Sequence, residues 1–298
     1  MTHVWIVVDA GADGWREPSP ASSVAAKMAI ACQDAIRQSH PGYSVGIVAA
    51  DGALGAIASA STITESAITE STITEGATAD TDTILCPLTF DLLAHWPAEL
   101  PADLPFPQRQ LFETAADVPG LRDWVQRTLG YATGSGEFWL PVVLTAKGPL
   151  YAEVIGMAKT QADSSPPPID SVSAPCIIEE ADHSASGSAN HPLSDVQPLS
   201  SFQQPIHLPD RWRQPLYQLG QRLLKALSAP PSTYLIQFGV SDGEVCFDRV
   251  FPFPSAPAIA SLGIQSPDLF TCHWLCLSQQ PILDVAIAAP VEYQVAPF

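Results

Sequence analysis

The chain has 298 residues and is 46% hydrophobic, enough to bury a sizeable core in one or two domains without a disulfide or metal staple. Its 31 acidic residues against 13 basic ones give a formal charge of −18, a field that repels phosphate backbones and anionic membranes and so excludes nucleic acid and membrane partners. The six cysteines, Cys32, Cys86, Cys176, Cys246, Cys272 and Cys276, sit mostly in apolar runs with no paired CxxC spacing, which reads as buried free thiols. Cys272-His273-Trp274-Leu275-Cys276 offers three ligand types one helical turn apart but no fourth, so no metal is expected. Met1–Gly14 holds an apolar run too short for a signal peptide and no basic leader, and no stretch reaches the length of a membrane span, so a cytoplasmic location is expected.

In chain order, His3–Val8 has the pattern of a buried strand, followed by the loop Asp9-Ala10-Gly11-Ala12-Asp13-Gly14 and a helix. Ser22 or Ser23 caps that helix; Val24, Met28, Cys32 and Ile36 line its inner face, and His40-Pro41-Gly42 ends it. Val45–Ala49 is the next strand. Strand, loop, helix and strand make a βαβ unit with a parallel, Rossmann-like sheet. The glycines do not form GxGxxG, and Asp9 and Asp13 repel a pyrophosphate, so no dinucleotide is expected. Residues 61–80 carry the near-repeat STITE-SAITE-STITE, read as an expanded surface loop, with a helix as the alternative disfavoured by β-branched Thr and Ile. Asp82–Pro87 resumes as a strand, and Trp96–Pro107, with four prolines, reads as an extended connector.

Leu121, Trp124, Val125 and Leu129 mark a short helix closed by Gly130. Phe138–Thr145 and Leu150–Ile155 form a candidate hairpin across Ala146-Lys147-Gly148-Pro149. Gln161–Gln203 is rich in Ser, Pro, Asp and Ala and is read for the most part as a disordered insert, 163–200, with Cys176-Ile177-Ile178 as a short strand within it. Trp212, Leu216, Leu219, Leu223 and Leu227 then define one face of a helix. Tyr234–Val240 and Val245–Val250 flank Ser241-Asp242-Gly243-Glu244, an Asp-Gly hairpin signal, and Pro252 and Pro254 stop the second strand.

These pieces, with Leu140-Pro141-Val142-Val143, Pro205-Ile206-His207-Leu208-Pro209, Gln237 and Asp248-Arg249-Val250-Phe251-Pro252-Phe253-Pro254-Ser255, resemble the C-terminal core of the ATP-grasp superfamily. The D-alanine–D-alanine ligase and aminoimidazole-ribonucleotide carboxylase branches are most similar, over roughly residues 140 to 280. The resemblance implies an α/β chain divided into a Rossmann-like lobe (1–95), a Pro-rich connector (96–119) and an ATP-grasp-like α+β core (120–298). It also implies where the family's Mg²⁺ ligands fall: its Asp on Gln237, its Glu on Arg249 and its Asn on Phe251. An amide, a cation and a phenyl ring cannot supply the hard oxygens Mg²⁺ needs. A one-residue register shift would bring Asp248 opposite Gln237 and restore one carboxylate.

Little room remains between Pro87 and Trp139 for the nucleotide-gripping subdomain, which is expected to be reduced or absent. Lys147, in a hairpin turn, and Arg249 are the candidate ligand contacts. No GxSxG, HExxH or P-loop occurs, and Ser255 has no His or Asp partner with motif support. Two functions follow from the resemblance: a catalytically degenerate scaffold binding an unknown protein or small molecule without cofactor, or an ATP- and Mg²⁺-dependent ligase or carboxylase with relocated ligands.

Overall fold

The computed structural model describes residues 2–9, 23–50, 83–157, 202–288 and 294–295. The expectations for the Gly-rich loop after Asp9, for 61–80 and for 163–200 lie outside these residues. β1 (His3–Val8), β2 (Ser44–Ala49) and β3 (Thr83–Pro87) form a parallel sheet in the order β2-β1-β3. Helix α1 (Val24–Ser39) makes the crossover from β1 to β2. The Ser23 hydroxyl accepts a 3.2 Å bond from the Ala26 amide and caps the helix, while Met28, Cys32 and Ile36 are buried. This is the expected Rossmann-like lobe.

The stretch between β3 and the large sheet holds a short 3₁₀ turn (Asp91–Leu93), α2 (Arg109–Ala116), α3 (Val118–Trp124) and a π-turn (Val125–Leu129). Residues 96–119 are expected to be connector throughout, but α2 forms within them. Its Leu111, Phe112 and Ala115 are buried, and Arg109 and Glu113 pair across one exposed turn at 2.9 Å. Gly130, at φ 76°, ends the next helical stretch with a left-handed cap as expected. No nucleotide-gripping sheet is present among these residues: their one strand, β4 (Ala132–Thr133), adds to the edge of the large sheet beside the strand Glu244–Phe251.

That sheet runs β11-β8-β7-β5-β9-β10-β4, with β6 paired to β5 off this path: β5 (Phe138–Thr145), β6 (Gly148–Tyr151), β7 (Val154–Met157), β8 (Phe202–His207), β9 (Ser232–Ser241), β10 (Glu244–Phe251) and β11 (Gln294–Val295). Pairing is antiparallel from β8 through β10 and parallel at the two edges. The expected strand Leu150–Ile155 is in fact two, because the chain leaves the ladder at Ala152-Glu153. β6 pairs with the far end of β5 and β7 with its near end, Trp139 opposite Ile155.

The β9–β10 hairpin forms as the Asp-Gly signal requires, with Asp242 at φ 53° and Gly243 at φ 80°, the two positive values of a type I′ turn. Helix α4 (Asp210–Ala226) lays Trp212, Leu216, Leu219 and Leu223 on one face of the sheet against Val142, Tyr234, Ile236 and Phe247. The other face, with Trp139, Val143 and Leu235, shares a core with the N-terminal lobe and α5 (Leu269–Leu277). The Trp274 indole N–H donates to His40 Nδ1 at 3.1 Å across that junction.

Candidate functional site

A cleft of about 640 Å³ opens where the C-terminal ends of β1 and β3 and the start of α1 meet the lobe-facing side of the large sheet. β1 delivers Asp9 to it, the turn after β3 delivers Thr89, Phe90 and Asp91, and α1 delivers Ser23, Val24 and Met28. The sheet contributes Trp139 from β5, Phe202 from β8, Gln237 from β9 and Phe251 from β10. Phe253 and Ser255 follow β10, where Pro252 and Pro254 stop the strand and turn the chain over the opening.

The ring of Phe90 lies 5.1 Å from Phe253 and 6.0 Å from Phe251, so aromatic edges and faces from both lobes meet here. The polar lining is short of donors. Thr89 Oγ1 donates to the Asp9 carboxylate and accepts from the Asp91 amide at 2.9 Å, tying the two acids to one hydroxyl. Burial, helped by the nearby Asp91 carboxylate, raises the Asp9 pKa against the opposing effect of Thr89. Ser255 is 7% exposed and its hydroxyl has no hydrogen-bond partner among the described residues. No Lys or Arg lines the cleft among the described residues.

The positions singled out from the sequence divide. Gln237 and Phe251 face this cleft. Arg249 pairs directly with Gln237 across the hairpin, on the same side of the sheet, but its guanidinium turns to Asp248, Nε to Oδ1 at 3.2 Å, and it does not line the cleft. The register shift that would have set Asp248 opposite Gln237 does not occur. Instead the ladder steps from Phe247–Phe238 to Arg249–Gln237, leaving Asp248 as the extra residue of a β-bulge.

Asp248 is 3% exposed and committed: Oδ1 is bound by Arg122 and Arg249, and Oδ2 accepts the Gly136 amide at 2.9 Å. Gln237 donates its amide to the Gly136 carbonyl at 2.6 Å. So two side chains expected at a former metal site clamp both polar groups of one peptide residue. Gly136 is needed there, since a Cβ would sit 2.2 Å from the Phe238 carbonyl carbon.

Lys147 lies elsewhere, exposed in the β5–β6 turn beside a crevice of about 500 Å³ with Pro231, Cys276 and Gln280. In α5 the side chains of Cys272, His273 and Cys276 go to separate partners, Pro267, Ser232 and Leu144, and no group of three or more His, Cys, Asp or Glu among the described residues is placed to hold a metal. Sequence reasoning noted Asp9 and Ser255 but did not bring them together, and it missed Thr89, Phe90, Asp91 and Trp139. Their spacing carries no motif; only the meeting of two lobes assembles them.

The three-stranded parallel sheet and the large mixed sheet of the described residues match an ATP-grasp-like fold. No protein-family model matches the sequence, and no curated protein matches it. Among solved structures the chain is similar to N5-carboxyaminoimidazole ribonucleotide synthetase from Thermotoga maritima, at a TM-score of 0.52 and 9% identity, over 96% of this chain and 78% of that one. It is similar also to glycinamide-RNase-transformylase T from Mycobacterium tuberculosis, at a TM-score of 0.51 and 15% identity, over 94% and 80% of the two chains. At such identities the likeness shows the fold alone.

Among the described residues, those at the positions where the resemblance places the Mg²⁺ ligands do not fit a Mg²⁺–nucleotide. The ion needs free oxygens and finds a carboxylate already bound to two guanidiniums, an amide engaged with Gly136, and a phenyl ring.

Proposed function

We propose that this chain is a catalytically degenerate ATP-grasp-like protein, acting in the cytoplasm as a binding module that keeps the cleft between its lobes and has given up phosphoryl chemistry. The observation that carries this reading is the fate of Asp248. It is the remaining carboxylate at the former metal position, and both its oxygens hold the fold together instead of facing the cleft. Nothing basic lines the cleft among the described residues to offset the charge of triphosphate, which would enter beside Asp9 and Asp91 in a chain of net −18.

A thermal-shift titration with ATP, with and without Mg²⁺, tests the proposal. A ligand at a hundredfold excess over Kd stabilises the native state by about 2.7 kcal/mol, a shift readily seen. No shift in either condition is expected. A Mg²⁺-dependent shift overturns the proposal in favour of a working ligase or carboxylase. A Mg²⁺-independent shift lost in Arg249→Ala also overturns it, by showing that the arginine takes over the metal's place at the phosphates.

A further inference from the structure

Resting on the binding-module reading, we propose that the cleft takes an organic cation: a small molecule with an ammonium group on an apolar body. Its volume of about 640 Å³ suits such a ligand. The apolar part has walls to meet, with Trp139, Phe253 and Met28 at 7%, 3% and 5% exposure and Phe90, Phe202 and Phe251 partly buried. Walls rich in aromatic rings favour a cation over an anion.

The charge count points the same way. Asp9 and Asp91 bring two carboxylates, that of Asp9 accepting from the Thr89 hydroxyl and Asp91 anchored to the same hydroxyl by its backbone amide, and no Lys or Arg among the described lining residues neutralises them. The N-terminus of α1 also faces the cleft and favours an anion, but a helix end is worth roughly half a positive charge, and Ser23 already occupies one of its free amides. Two carboxylates outweigh it.

A further feature is independent of the acids. The Ser255 hydroxyl is more than nine-tenths buried in the cleft wall and has no partner among the described residues, and a buried hydroxyl is ordinarily bonded. An ammonium N–H supplies the missing donor. Asp9 is consistent with this: burial and Asp91 make its charge unfavourable without a ligand, and a bound cation removes that penalty. A divalent metal is a poorer occupant, because six or more oxygens are needed and the walls are aromatic.

The test uses the full chain with probes of similar size and different charge: 2-phenylethylamine, 2-phenylethanol and 3-phenylpropionate, with MgCl₂ alone as a fourth. By calorimetry at neutral pH the amine alone is expected to bind. Asp91→Asn, an exposed position that leaves the fold intact, is expected to weaken it at least tenfold, Ser255→Ala several-fold, and Lys147→Ala at the distant crevice not at all. Equal binding of the alcohol, preference for the carboxylate, binding of Mg²⁺ without amine, no binding of any probe, or amine binding unchanged in Asp91→Asn each overturn the cation assignment. All of these leave the binding-module reading standing, since that reading falls only to the ATP titration.

Discussion

The Asp248 carboxylate is bound by two arginines and by a backbone amide, and Arg122 also donates Nε to the Asp248 backbone carbonyl at 2.9 Å. Substituting Ala leaves Arg122, about one-third exposed, beside an empty site and the Gly136 amide without an acceptor. Breaking a pair of this kind is expected to destabilise the protein by about 2–4 kcal/mol, measured by urea unfolding. Asp248→Asn keeps an acceptor for Gly136 and is expected to lose less. The companion test is Gly136→Ala. A Cβ 2.2 Å from the Phe238 backbone has no flexible neighbour to displace, so a loss above ~2 kcal/mol is expected, from strain alone. A Gly136→Ala variant as stable as the parent would show that this segment does not sit against β9.

At the scale of elements, what could be read from sequence and what could not follow from the range of the forces. The β9–β10 hairpin is encoded locally, by Asp242-Gly243 between β-branched runs, and so is α4, by its Leu spacing. The bulge at Asp248 is not local. It is stabilised by Arg122, 126 residues earlier in the chain, and by Gly136, 112 residues earlier, so no window of sequence reports it. The break between β6 and β7 is of the same kind: Ala152-Glu153 belongs to an apolar run, and the carbonyl of Glu153 is taken by the Gln204 side chain at 2.9 Å. Within α4, Pro215 lies inside the helix and cannot donate to the Arg211 carbonyl one turn back. Pro215→Ala restores that bond and keeps the Pro215 carbonyl as acceptor for the Tyr131 hydroxyl, so it is expected to stabilise the protein by about 1–3 kcal/mol, read as a higher Tm.

For the whole molecule, the surplus of acid reads differently once the fold is known. A charge of −18 repels phosphates on average, and the cleft brings carboxylates of the same sign to the place where two lobes meet, which is the basis of the proposed preference for cations. That preference has a pH signature. Among the described residues lining the cleft, Asp9 has its pKa raised above its ordinary 3.8 by burial and, more weakly, by the nearby Asp91 carboxylate. Without ligand, the folded state therefore takes up the Asp9 proton at a higher pH than the unfolded chain does. Asp9 disfavours folding above its raised pKa, and that penalty is relieved as pH falls through it. Binding of an ammonium works in the opposite direction, since it favours the ionised carboxylate and releases a proton. Amine affinity is expected to be flat at neutral pH and to fall as pH drops through the raised Asp9 pKa, beginning above 3.8. Asp9→Asn removes that step. An affinity that keeps rising as the solution is acidified through this range would mean that the cation is not bound beside Asp9.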